Sequence, residues 1–190
     1  SMLKAHAARL TKWIEPPELR ERLQQACEQA MRGHPWEDLA QAVAAGRAQL
    51  GGSRSWWRLE FMLQASRDRF QAARAQLERL EASADPREQV LWRLERVLLD
   101  WREQRRPPEG VEQALEVQGD FLAARLSRGF VALLRGQLPE AQRLAQSVIQ
   151  EQGAGAPAPA FFLLLASSRE TPQVVKERFR VVGFLEADPS

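Results

Sequence analysis

Proline and glycine interrupt this chain at intervals of about one helix length, and the segments between them carry hydrophobic residues at three- and four-residue spacings. The segment opened by Asp85-Pro86-Arg87-Glu88 shows this best, because Asp85 can cap a helix, Pro86 suits its first position and Glu88 completes a capping box. The apolar stripe that follows consists of Val90, Leu91, Leu94, Val97, Leu98 and Trp101. No stretch of the sequence alternates apolar and polar residues over a strand length, so the pattern predicts an all-α fold.

The composition favours helices as well. The chain has no Tyr and no Asn, and its only isoleucines are Ile14 and Ile149, whereas Leu, Ala, Gln, Glu and Arg are abundant. The abundant residues lose little side-chain entropy in a helix, while Tyr and Ile are strand formers. With 44% hydrophobic residues among 190, the chain can bury a sizeable core or form a short helical array.

The breaks delimit a series of expected helices. These lie at residues 3–14, 17–32, 35–49, 55–66, 68–83, 86–106, a short stretch ending near 118, 120–135, 139–152, 158–168 and 172–182. We expect residues 3–152 to form an array of helical hairpins. Residues 153–159, which are small and proline-rich, form a linker or long turn, and residues 160–185 form a last hairpin packed on the array.

The breaks within helix pairs recur at a nearly constant interval. Gly33, the Arg67-Asp68 junction, Gly136 and Glu170-Thr171 are separated by 35, 68 and 34 residues. A period near 34 with two helices in each unit is the spacing of tetratricopeptide repeats. The clearest unit spans 122–155 and carries small or apolar residues at the expected places: Leu126, Gly129, Leu133, Gly136, Leu138, Ala141 and Ala145.

This unit resembles a tetratricopeptide repeat, with Gly129 where two helices cross and Gly136 in the turn. The resemblance implies antiparallel hairpins stacked as a right-handed α-solenoid; an irregular helical bundle is the alternative. It also implies that an apolar concave face formed by Ala123, Leu126, Phe130 and Leu133 binds a partner segment. The same four residues could instead be buried by the next hairpin. A carboxylate clamp of the family's kind is not expected, because it uses Lys and Asn, and this unit has neither.

The residues that commonly carry chemistry are few. Cys27 is the only cysteine, which excludes an internal disulfide and a cysteine-based zinc cluster. His6 and His34 are the only histidines, and Gly33 and Pro35 break the helix that would place His34 beside Cys27. Glycine pairs such as Gly51-Gly52 lack the strand–loop–helix setting of a phosphate-binding loop. We therefore predict a non-catalytic protein without a metal or cofactor.

The formal charge is +2, from 27 Lys and Arg against 25 Asp and Glu, and it does not by itself require nucleic acid or a membrane as partner. Most tryptophans are expected in helix packing, with arginine stems laid over them. The longest apolar run, Ala160 to Ala166, is too short to span a bilayer. Without a secretory segment, a cytoplasmic location is expected.

Three functions are consistent with these observations. The first is an interaction scaffold that binds a protein or peptide in an apolar groove, as a module of a larger protein. The second is a nucleic-acid-binding domain that uses an arginine- and tryptophan-rich surface of Arg54, Trp57, Arg58, Arg102, Arg105 and Arg106. The third is a regulatory or oligomerisation domain, which would form homo-oligomers.

Overall fold

A computed structural model describes residues 2–12, 14–34, 36–153 and 156–168, and every regular element in these ranges is a helix. The all-α prediction is confirmed. The helices are α1 (Met2–Thr11), α2 (Pro17–Met31), α3 (Trp36–Leu50), α4 (Arg54–Ser66), α5 (Phe70–Ala82), α6 (Pro86–Gln104), α7 (Val111–Ala114), α8 (Leu122–Leu134), α9 (Leu138–Gln152) and α10 (Ala158–Ser167). The helix expected at 172–182 lies outside the described residues.

The helix termini follow the local signals. Asp85 caps α6, since its Oδ1 accepts a hydrogen bond from the Glu88 backbone N–H at 2.9 Å. Ser53 caps α4 by accepting from the Trp56 N–H at 3.3 Å. The main departure is α5, which begins at Phe70 instead of Asp68, because Asp68 adopts a left-handed backbone conformation with φ of 56° and so lies in the turn.

The chain divides into two compact units, the first running to Leu80 and the second beginning at Glu81, so that the boundary falls inside α5. The sequence pattern places no break at this point. Each unit has a separate hydrophobic cluster, and the two are described in turn.

In the first unit, α2 packs between α1 and α3, and α4 packs on α3 and α1. Its core contains apolar side chains from all four helices: Ala7, Leu10, Ile14, Leu19, Leu23, Cys27, Ala30, Leu39, Ala42, Trp56, Leu59 and Leu63. Trp56 is fully buried against α3 at Gly46, where a β-carbon would overlap the indole ring. Glycine at this position therefore allows α4 to approach α3 closely.

In the second unit, α8, α9 and α10 each pack on the other two, and α6 packs on α8 and α10. An aromatic cluster joins three of these helices. The ring centroids of Trp101 and Phe130 are 6.5 Å apart, those of Trp101 and Phe162 are 6.0 Å apart, and those of Phe130 and Phe162 are 5.9 Å apart. Gly129 lies at the closest approach of α8 to α10, because a β-carbon there would overlap Leu163 Cδ2.

Candidate functional site

The four residues predicted to form an apolar binding face are core residues of the second unit. Leu126 and Phe130 are fully buried, Ala123 is 5% exposed, and Leu133 is half-buried against the same cluster. The helices that cover them are α6 and α10, which pack on α8. The expectation of an open face at these positions is therefore corrected: these side chains stabilise the fold, as the packing alternative holds.

The predicted arginine and tryptophan surface draws its residues from both units. Arg54, Trp57 and Arg58 lie on α4, whereas Arg102, Arg105 and Arg106 lie at the end of α6 and just beyond it. All six are at least partly exposed. The two groups therefore have to be considered as separate features.

Contacts within the first unit already engage the α4 group. The Trp57 indole N–H donates to the Gly51 carbonyl at 2.9 Å, and the guanidinium carbon of Arg79 lies 5.8 Å from the ring centroid. Arg54 donates from Nη1 to the Leu80 carbonyl at 3.3 Å. Trp57 is thus half-buried, with its polar edge bonded and a cation over its ring, which is unlike an open platform for stacking bases.

The other tryptophans with described side chains serve packing. Trp56 is fully buried and Trp92 is 4% exposed. The indole N–H of Trp92 donates to the Glu88 side chain at 3.2 Å, one turn earlier on α6. Trp101 completes the aromatic cluster of the second unit.

Cys27 and His34 do not form a reactive pair. Burial raises the pKa of the Cys27 thiol to about 12, so the side chain remains a neutral thiol at physiological pH. His34 is exposed in the turn after α2. Cys27 therefore acts as a small hydrophobic core residue of the first unit.

The surface of the first unit has a pocket of about 190 Å³ between α3 and α4, which we call the α3–α4 pocket. Its lining combines apolar and basic side chains: Leu39, Ala40, Val43, Arg47, Leu63, Gln64, Arg67 and Arg69. Leu39 and Leu63 are buried and form its floor, Val43 is half-buried, and Arg47 and Arg69 are exposed at its rim. The site therefore offers an apolar surface next to guanidinium groups.

A buried carboxylate holds one side of this pocket in place. The Glu60 side chain is 6% exposed, and its Oε1 accepts from Arg47 Nε at 2.8 Å and also from Arg47 Nη2. Its Oε2 accepts from Gln76 Nε2 on α5 at 3.1 Å. Glu60 thereby connects α3, α4 and α5, and it compensates the charge of Arg47 while Arg67 and Arg69 add two further guanidinium groups.

The pocket lies in the most basic part of the chain. Residues 44–80 contain seven arginines and three acidic residues, Glu60, Asp68 and Glu78, which gives a net charge of +4. The whole chain carries +2, so the remaining residues sum to −2. The α3–α4 pocket is accordingly in a positive environment that favours an anionic group.

Sequence reasoning noticed Arg67 and Arg69 but interpreted them as part of a solvated, salt-bridged helix face. A usable signal existed on each helix separately. Leu39, Val43 and Arg47 follow one another at four-residue spacing on α3, and Leu63 and Arg67 do so on α4. What the sequence does not provide is the pairing of these two stripes in space.

No protein-family model, curated protein or solved structure matches this chain. Among the described helices, none has both the length and the apolar character needed to cross a bilayer. Within the described ranges, three or more His, Cys, Asp or Glu side chains do not come together in a group suited to a metal ion.

Proposed function

We propose that this chain is a non-catalytic protein-interaction module, and that it binds a segment of a partner protein at the α3–α4 pocket. The observation that carries the proposal is the composition of that pocket, an apolar floor of Leu39 and Leu63 bordered by Arg47, Arg67 and Arg69. Apolar contact supplies affinity at such a site, and a few charged groups at its rim orient the ligand.

The size of the pocket favours a side chain of a macromolecule over a whole small molecule. Its volume is about 190 Å³, whereas pockets that enclose small ligands measure roughly 300–1,000 Å³. A segment that places one anchoring side chain in the pocket would extend over the exposed helix surface beside it, where Ala40 and Arg69 lie.

The packing of the second unit supports the finer proposal of a tetratricopeptide-like array. In such an array each helix packs on the next and on the next but one, and α8, α9 and α10 have this relation. The close approach at Gly129 also agrees with the small residue that the resemblance requires. A stacked array of hairpins is a common scaffold for protein interaction.

Nucleic-acid binding is the second candidate, and the net charge of +4 over residues 44–80 is the observation that favours it. Two features favour a protein partner instead. The described residues that line the α3–α4 pocket include no aromatic side chain, and the half-buried Trp57 is already engaged by Gly51 and Arg79. Base stacking on exposed aromatic rings is the usual basis of single-strand binding.

Affinity capture from a lysate of the source cells, with nuclease present, tests the proposal. The wild-type chain is compared with Ala40→Glu, which places a carboxylate at the pocket lining from an exposed helix position. The matched control is Ala75→Glu, the same substitution at an exposed position of α5 outside the pocket lining. A protein that the wild type and Ala75→Glu retain and Ala40→Glu loses is the expected result.

Two results would count against the proposal. Retention of nucleic acid without nuclease, combined with loss of all retained protein when nuclease is added, would favour the second candidate. Equal retention of the same protein by all three chains would place its binding site elsewhere on the molecule.

A further inference from the structure

We infer that the α3–α4 pocket recognises an acidic segment of its partner, in which an apolar side chain enters the pocket and a neighbouring Asp or Glu binds Arg67 and Arg69. This inference rests on the proposed function and specifies the chemistry of its partner. It depends on the separate contributions of the apolar floor and of the three arginines.

The apolar half of the pocket is fixed by packing. Leu39 is 2% exposed and Leu63 is 5% exposed, and both belong to the core of the first unit, so the floor cannot collapse without disturbing that core. Val43, half-buried one turn after Leu39, adds apolar surface that remains in contact with water. Covering such a surface with an apolar side chain is favourable at roughly 25 cal/mol per Å².

The charged half divides into two parts. Arg47 is directed by Glu60, whose carboxylate takes both its Nε and its Nη2, so most of its charge is already compensated. Arg67 and Arg69 lie beyond this pair, at the end of α4 and before α5. A guanidinium group binds a carboxylate through two parallel hydrogen bonds, which is stronger and more directional than a neutral contact.

An acidic peptide fits this arrangement better than a phosphodiester chain does. A nucleic acid would present its phosphates to the arginines but would have only a sugar or a base for the apolar floor, and that floor consists of aliphatic side chains. A peptide can place Leu, Ile or Phe on the floor while the adjacent residue supplies the carboxylate. The apolar and ionic contacts are then both satisfied by one short segment.

Selection from a displayed library of random peptides on the intact wild-type chain tests the inference. Enriched peptides are expected to carry Asp or Glu next to a large apolar residue. Their affinity is then compared between the wild type and the double variant Arg67→Gln/Arg69→Gln, which leaves the Arg47–Glu60 pair intact. We expect the double variant to bind at least about tenfold more weakly.

The control is Arg22→Gln/Arg143→Gln, which removes the same charge at two exposed positions outside the pocket lining and should bind like the wild type. Far-UV circular dichroism and thermal melting establish that each variant is folded. Enriched peptides without acidic residues, or equal binding by the two double variants, would overturn the inference while leaving a peptide-binding function in place. Failure to enrich any peptide would contradict the inference and the proposed function together.

Discussion

The carboxylate of Glu60 is buried, while the arginine that pairs with it remains partly in water. The Arg47 side chain is 55% exposed and that of Glu60 is 6% exposed. Removing the arginine leaves a buried carboxylate with only Gln76 as a described donor to it, whereas neutralising the carboxylate leaves an arginine that water can solvate. The pair is therefore asymmetric in its contribution to stability.

We expect Arg47→Met to lower the free energy of unfolding by about 3 kcal/mol and Glu60→Gln by about 1 kcal/mol. Urea denaturation followed by circular dichroism measures both. Arg32→Met is the control, since Arg32 is half exposed and pairs with Glu28 at 2.7 Å within one helix, a contact worth about 0.5 kcal/mol or less. A larger loss for Glu60→Gln than for Arg47→Met would contradict this account.

Cys27 provides a second prediction at this scale, because it is the only thiol and is fully buried. In the native chain at neutral pH we expect its reaction with a disulfide reagent to be slower by several orders of magnitude than in urea, since the thiol is both inaccessible and protonated. Fast labelling of the native chain would show that α2 opens readily and would contradict the core that contains Cys27.

The same thiol makes stability depend on pH. Its pKa rises from 9.0 to about 12 on folding, so above pH 9.0 the unfolded chain loses a proton that the folded chain keeps. Stability should therefore fall as pH increases from 9.0 towards 12, and this part of the decline should be absent in Cys27→Ala. Identical pH profiles of the urea midpoint for the two chains would refute the prediction.

At the scale of single helices, most boundaries could be predicted from the sequence. Asp85, Pro86 and Glu88 mark the start of α6, and the same kind of reasoning located α2, α4 and α9 to within a residue or two. The error at α5 arose because a non-glycine residue, Asp68, takes the left-handed conformation in its turn. Asp is tolerated there often enough that its identity alone does not reveal the turn.

The faces of helices were harder to predict than their ends. The pattern of α8 identifies Leu126 and Phe130 as apolar and aligned, but it does not say what covers them. In the structure α6 and α10 do so, and the predicted binding face is buried as a result. A hydrophobic stripe is equally compatible with a core and with a groove, and only tertiary packing distinguishes them.

Gly129 gives a prediction about how α8 meets α10. Gly129→Val introduces a branched side chain where a β-carbon already overlaps Leu163, and Leu163 is itself fully buried. We expect a loss of about 1–3 kcal/mol in unfolding free energy from overpacking, measured by urea denaturation. Gln146→Val, at an exposed position of α9, controls for the low helix propensity of valine and should cost about 0.5 kcal/mol. Equal losses in the two variants would show that α8 and α10 are less closely packed.

At the scale of the whole molecule, the division after Leu80 had no counterpart in the sequence. Repeat spacing suggested one continuous array over residues 3–152, but the boundary of the two units lies inside a helix, where neither glycine nor proline marks it. The α3–α4 pocket could not be predicted for a related reason. It requires two separate stripes, on α3 and on α4, to be brought together by packing around Trp56 and Gly46.

The charge distribution adds a property of the molecule that the net value conceals. A total of +2 suggests no particular partner, yet residues 44–80 carry +4 and include the arginines of the α3–α4 pocket. Because Arg47 and Arg69 are exposed, their attraction for an acidic segment should weaken with added salt, with a screening length of about 8 Å at physiological ionic strength.

Methyl-resolved NMR titration of the intact chain with a synthetic peptide, in which each leucine is flanked by glutamates, tests the binding role of the α3–α4 pocket most directly. The account predicts saturable shifts of the Leu39, Val43 and Leu63 methyl resonances, no comparable shifts at Val148 and Leu163 of the second unit, and loss of the response in Ala40→Glu. Unchanged resonances at Leu39, Val43 and Leu63, or an equal response in Ala40→Glu, would contradict it.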